Sequence, residues 1–325
     1  MRLGEAVQTY IAMKQALGRS YVYDGGVIWS FAKHLSEVPL RNITHRQILT
    51  FLGGPRTSPV TWHHKYSILK NFFLYWTARR ELSETPMPPC RPLPAASGFV
   101  PHIYTRTEIR KILAAIPVSQ KHKGCKIAPK TLRAFLIFLY GTGALVSEAT
   151  NLASTDVNLR KKTILIHGSR FDRSRTIPIG SELCGVLQRY VNSLSKQSRG
   201  QSSYFFVNRD GERLNTRTLT TTFQRLRDEA GVQRHDHGFG KPRMHDLRHT
   251  FAVHRLNAWF KNHADMSRVI PALSAYIGQV GLGSTERYLR LAPERFRVQL
   301  NALSPLRSRK HWRDDPALMK FLAAL

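Results

Sequence analysis

The stretch His245-Asp246-Leu247-Arg248-His249-Thr250-Phe251-Ala252 decides how this chain reads, together with Ser284-Thr285-Glu286-Arg287-Tyr288-Leu289, which puts Tyr288 40 residues after Arg248. In a helix, residues three apart share a face, so His245 and Arg248 project together. A phenol is a poor nucleophile near neutral pH, with an unperturbed pKa of about 10. It becomes useful when cations stabilise both the phenolate and the charge growing on an attacked phosphorus. Arginine suits that task because its planar fork grips two phosphate oxygens at once. His245, Arg248 and Tyr288 are therefore the first candidates for chemistry at a phosphate.

Composition points to the same partner. Lys and Arg number 50 against 21 Asp and Glu, a formal charge of +29, with a pI near 10.8. The basic residues run through the whole length rather than one tail, so both halves are expected to touch phosphate, and such binding weakens steeply with salt. A membrane-surface or ribosome-associated protein is the plainer alternative. No apolar stretch approaches the roughly 18 residues of a membrane span, and Met1-Arg2-Leu3-Gly4-Glu5 starts no signal peptide. Cys90, Cys125 and Cys184 are too widely spaced for a CxxC pair or a disulfide framework, which fits a reducing cytoplasm. No cofactor is implied. The length of 325 residues, 42% hydrophobic, allows two domains with separate cores.

Proline marks the division. Thr85-Pro86-Met87-Pro88-Pro89-Cys90-Arg91-Pro92-Leu93-Pro94 sustains neither helix nor central strand and reads as a semi-rigid linker. Upstream, four amphipathic helices are expected. Leu3, Val7, Tyr10 and Ile11 share one face; Val27, Ile28, Phe31 and Leu35 share another. A third helix follows Thr44 and stops at Gly53-Gly54-Pro55. The fourth runs from Trp62 to Arg80, with Phe72, Phe73, Tyr75 and Trp76 expected in the core. Downstream, Thr105 and Glu108 form a capping box, and Lys130 to Tyr140 is an apolar helix. Thr163–His167 and Arg175–Ile179 read as a β-hairpin. Helices return over Ser181–Leu194, Thr216–Ala230, His245–Phe260 and Met266–Ile277.

HDLRHTFA with its downstream tyrosine resembles the tyrosine recombinase (phage integrase) family, over roughly residues 100 to 295. The resemblance implies a mainly α protein with a small β-sheet. A helical SAM-like core-binding domain would occupy 1–85, a Pro-rich linker 86–100, a catalytic-type domain 101–300, and a basic tail with a docking helix 301–325. It further implies double-stranded DNA as partner, cleavage through a 3′-phosphotyrosine link, a homo- or hetero-oligomer on DNA, and a cytoplasmic, nucleoid-associated place of work. Lys65, Lys70, Arg79, Arg173 and Arg175 are the DNA-binding candidates.

Three positions depart from the family pattern. Gly141-Thr142-Gly143-Ala144-Leu145-Val146-Ser147-Glu148 matches the run that carries the first phosphate-clamping arginine, but Leu145 stands in its place and is expected to pack. Losing such a contact typically costs on the order of 10²–10³ in rate. Glu148 matches the acidic residue that orients the basic cluster. Counting back from Pro178 puts Arg170 where the family has a lysine that protonates the leaving oxygen; an arginine, with a pKa above about 12, surrenders a proton poorly. Gln279 replaces the usual His or Trp nine residues before the nucleophile, and its amide still donates a hydrogen bond. His245, Arg248 and Tyr288 remain, and His249 is expected on another face in a structural role.

Two readings follow. One is a recombinase with impaired cleavage, its missing groups supplied by Arg133, Arg173, Arg175 or a partner subunit. The other is an inactive accessory or architectural DNA-binding subunit beside active recombinases. A metal-dependent nuclease built on His235-Asp236-His237 and His245 is a third class. In the tail, Leu318, Phe321 and Leu322 share one face of a helix too short to stand alone.

Overall fold

The computed structural model describes residues 1–18, 21–36, 38–54, 57–91, 100–121, 124–168, 174–194, 203–234, 240–279, 288–289, 291–292, 316 and 319–320. The chain separates into two compact units, one built on Met1–Gly98 and the other on Phe99–Ser169 with Arg173–Leu325.

The first unit holds α1 (Leu3–Ala16), α2 (Val22–Leu35), α3 (His45–Leu52) and α4 (Pro59–Ala78). Their ends follow local chemistry. Thr44 accepts from the Gln47 backbone N–H and Gln47 returns a bond to the Thr44 N–H, so two otherwise orphaned donors are satisfied. Ser58 caps α4, with Pro59 at the first helical position where its missing N–H costs nothing. Leu3, Val7, Tyr10, Ile28, Phe31, Phe72, Phe73 and Trp76 fill the core, so of the four aromatics expected there Phe72, Phe73 and Trp76 are interior and Tyr75 is half-buried. Lys65 lies over the Phe51 ring and Arg79 over the Tyr75 ring, while Lys70 is exposed. The Tyr66 hydroxyl donates to the Pro88 carbonyl and ties the proline-rich stretch to α4.

The second unit begins with α5 (Arg106–Ser119), capped by the expected Thr105–Glu108 exchange. Next come α6 (Pro129–Thr142) and the five-residue α7 (Val146–Thr150). An antiparallel sheet of β1 (Val157–Asn158), β2 (Thr163–Ile166) and β3 (Arg175–Pro178) follows, with Ile164 opposite Ile177. β2 and β3 are the expected hairpin. β1 is an addition that two residues are too few to announce by alternation. α8 (Ser181–Ser193), α9 (Thr216–Glu229), α10 (Asp246–Lys261) and α11 (Met266–Ile277) complete the described helices. Leu318, Phe321 and Leu322 of the proposed tail helix, the hairpin turn with Arg170 and Arg173, and His235-Asp236-His237 lie outside the described residues.

α6 is the spine of this unit: Leu132, Phe135, Leu136, Phe138 and Leu139 are all interior, and α8 and α10 pack on it. Two glycines set the approach of the later elements. Gly143 ends α6 at φ +65°, and a Cβ there would lie 2.5 Å from the Phe251 ring of α10. Gly278 ends α11 at φ +72°, and a Cβ there would lie 2.6 Å from an Arg175 guanidinium nitrogen. Both positions need the left-handed conformation and the missing side chain together. Gly143→Ala is therefore expected to lower unfolding stability by on the order of 2 kcal/mol or more, through backbone strain and overpacking. Urea denaturation checks this; an unchanged midpoint would contradict it.

Candidate active site

Arg248 sits on the first turn of α10, where Leu247 and Phe251 turn inward and carry it below the surface, 7% exposed. Its guanidinium joins two helix ends. Nη1 donates to the Gly143 carbonyl at 2.8 Å, and Nη2 to the Ile277 carbonyl at 2.7 Å. These carbonyls close α6 and α11, where unsatisfied backbone oxygens and the helix dipole both favour a cation. Burial presses the Arg248 pKa below its ordinary value, and the Tyr288 phenol and Glu148 carboxylate oppose that shift.

A second charged group braces the same region. Glu148 in α7 is buried and accepts the Leu145 backbone N–H at 2.8 Å, capping its own helix. Both of its oxygens accept from Arg175 of β3, at 2.8 and 3.0 Å. The Arg175 Nε donates to the Tyr276 carbonyl of α11 at 2.9 Å, and the Tyr276 hydroxyl to the Pro178 carbonyl at 3.0 Å. One carboxylate and one guanidinium thus join α7, β3 and α11. Arg175, expected among the DNA-facing cations, turns inward because Glu148 offers it a bidentate, charge-assisted partner. Arg133 is likewise occupied, donating to the Leu113 carbonyl at 3.4 Å. Leu145, expected to pack, is half-buried and joins none of the apolar clusters of the described residues.

Tyr288 is 3% exposed and belongs to the cluster of Phe251, Leu256, Leu273 and Ile277. Its hydroxyl accepts from the Gln279 amide nitrogen at 3.2 Å. The structure thus brings Gln279, Tyr288 and Arg248 together. His245 stands at the α10 N-cap position, exposed as a residue while its ring is partly enclosed. His249 departs from expectation. Its ring lies 5.5 Å from the Tyr288 ring and 5.2 Å from that of His245, and its Nδ1 is buried without a hydrogen-bond partner. One position past Arg248, it looked like a residue of another face; Tyr288 reaches that face from 39 residues away. Burial, then Arg248, lowers the His245 pKa; burial and then His245 push His249 down to about 4. His254, farther along α10, is lowered by burial and by Arg106. Among the described residues, no group of three or more His, Cys, Asp or Glu is placed to hold a metal ion. No described helix is long and apolar enough to cross a membrane.

A buried arginine thus spans two helix ends, with the Tyr288 hydroxyl enclosed beside it. The sequence signature of the phage integrase family matches residues 103–293, more than half of the chain, and the chain belongs to this family of DNA-recombination proteins. It is 29% identical over 317 residues to the integrase/recombinase-type protein y4rB of Sinorhizobium fredii, covering 95% of this chain and 98% of the relative. It is 29% identical over 239 residues to the tyrosine recombinase XerC of Bacillus subtilis, covering 72% of this chain and 71% of that one. The fold is similar to that of the lambda integrase(75-356) dimer bound to a COC′ core site, with a TM-score of 0.62 at 18% identity over 87% of this chain and 96% of that one. It is similar also to that of the Tn1549 transposon integrase in complex with a circular intermediate DNA, with a TM-score of 0.64 at 16% identity over 89% of this chain and 94% of that one.

Removing one partner of the buried Arg175–Glu148 pair leaves an uncompensated charge, a loss of about 3–5 kcal/mol. Arg175→Ala should unfold correspondingly earlier in urea, and adding Glu148→Gln should recover part of that loss. Strict additivity in this double-mutant cycle would show that the two groups do not work as a pair.

The depressed histidines set an acid limit. An unfolded histidine titrates near about 6.5. The unfolded chain therefore takes up protons on its histidines between about pH 6.5 and 4 that folded His249 refuses, so stability falls as pH falls through that window. The His249 share is about 3 kcal/mol by pH 4. His249→Phe should flatten this part of the stability profile. Parallel wild-type and variant profiles would contradict the assignment.

Proposed function

We propose that this chain binds duplex DNA through both units and cleaves it weakly, with Tyr288 as nucleophile and Arg248 and His245 as the retained phosphate ligands. The observation that carries this reading is the enclosure of the Tyr288 hydroxyl between the Gln279 amide and the anchored Arg248. The DNA bound by the lambda and Tn1549 integrases of similar fold supports a duplex partner, as does the formal charge of +29. The dimeric lambda integrase complex supports an oligomer on DNA as well. Lys65, Lys70 and Arg79 are proposed phosphate contacts of the first unit, and Arg170 and Arg173 of the hairpin turn.

Charge explains why cleavage is weak. Arg175 is neutralised by Glu148, so among the described residues of this site Arg248 is the arginine positioned to meet a scissile phosphate. Leu145, half-exposed beside that pair, adds no charge where the family pattern has an arginine. Gln279 donates one hydrogen bond in place of a histidine or tryptophan, and an arginine at 170 is a poor acid for the leaving 5′-oxygen. The accessory-subunit reading rests on the same substitutions, and one assay separates the two.

The substrate is a nicked duplex carrying the site that the protein itself selects from a randomised pool, and the readout is a covalent adduct that survives denaturation. Wild-type protein should give a low, Tyr288-dependent yield, abolished in Tyr288→Phe with binding retained. Leu145→Arg should raise the rate about 10²-fold, the size of one restored clamp. A complete absence of adduct from both proteins would establish the accessory reading. An adduct that persists in Tyr288→Phe would remove Tyr288 as nucleophile.

A further inference from the structure

A side-chain brace stands where the β2–β3 hairpin opens into its turn. The ladder ends at the pair Ile166–Arg175, and continuing that register brings His167 opposite Ser174. The His167 Nδ1 lies 3.2 Å from the Ser174 hydroxyl, and its Nε2 lies 3.1 Å from an Asp156 carboxylate oxygen. The other Asp156 oxygen accepts the Ala153 backbone N–H at 3.0 Å, which fixes the carboxylate to the segment ahead of β1. One imidazole therefore ties the two strands to each other and to that segment.

Both faces of the hairpin end are gripped. Successive strand residues point to opposite faces. Arg175 is held on one face by Glu148, and its neighbour Ser174 meets His167 on the other. The brace does not depend on the charge of the ring. A neutral imidazole with its hydrogen on Nε2 donates to Asp156 and accepts from the Ser174 hydroxyl; a charged one donates to both. Its share of global stability is small, because the imidazole is 58% exposed and exposed ion pairs contribute little. Its effect is local: it sets where residues 168–173 leave and rejoin the sheet. In the sequence those residues include Arg170 and Arg173.

We infer that His167 is a positioning residue for DNA binding, fastening the hairpin so that its arginines meet the DNA backbone from a fixed base. This rests on the proposal that Arg170 and Arg173 contact phosphate, and not on whether the chain cleaves. A cation that must be ordered on binding loses part of its contact energy to that ordering, and a fixed base reduces the loss. Phosphate contacts release counterions, so each steepens the fall of log affinity against log salt concentration by about 0.9. That slope counts the phosphates met and so reads the arginines directly.

The test measures this slope for the full chain on the selected duplex, intact rather than nicked, between about 50 and 200 mM salt. Arg170→Gln with Arg173→Gln should flatten it by about two, one for each lost phosphate. His167→Ala should flatten it by about one or more and leave the thermal midpoint in place. Adding His167→Ala to the arginine pair should flatten it no further, because the brace acts through those residues. His167→Gln should keep the wild-type slope, since its amide nitrogen donates to Asp156 and its amide oxygen accepts from Ser174. A wild-type slope in His167→Ala overturns the positioning role, as do full additivity with the arginine pair and equal losses in the alanine and glutamine variants. A wild-type slope in the arginine pair overturns the phosphate contacts of the turn, and the positioning role with them. Should His167→Ala lose its fold, Ser174→Ala removes the same strand-to-strand bond and decides.

Discussion

One guanidinium holds this active-site region together. Arg248 donates at once to the carbonyls of Gly143 and Ile277 at the ends of α6 and α11, two helices that close in left-handed glycines packed against Phe251 and Arg175. The cation satisfies backbone oxygens that would otherwise stand unpaired in a buried place. In return the carbonyls fix its fork beside Tyr288. Any phosphate bound there meets an arginine that needs no reorganisation, which is the condition for electrostatic stabilisation of a transition state.

The Glu148–Arg175 pair supplies the second constraint, and its role is mechanical. It holds α7, β3 and the end of α11 in register and so fixes where Leu145 stands. Because the pair is internally neutral, it adds little net charge for DNA. The framework around this leucine is intact, and in the proposed reading what is missing there is one charge rather than the architecture.

Much of this was legible in the chain. The three-residue spacing of His245 and Arg248, the glycines around Thr142, and Ile277-Gly278-Gln279 ahead of Tyr288 are local patterns, and local patterns specify helix ends and faces. The capping box at Thr105 and the β2–β3 hairpin were visible for the same reason. The inward turn of Arg175 was hidden, because Arg173-Ser174-Arg175 reads as a solvated basic run until Glu148, 27 residues earlier, folds against it. His249 was hidden likewise, since α10 alone gives it no partner and the Tyr288 segment closes over it from far along the chain. Residues fixed by long-range pairing carry no periodic mark.

The central proposal is that cleavage is limited by phosphate charge that Arg248, with leucine at position 145, does not fully neutralise. The most direct measurement scans a neutral methylphosphonate, one linkage at a time, through the selected nicked duplex and records Tyr288-dependent adduct at each position. At the scissile linkage the methyl group removes the charge the missing arginine would have met. The account predicts that adduct yield there rises well above that of the natural phosphodiester. A yield that falls or stays level at every linkage would contradict it.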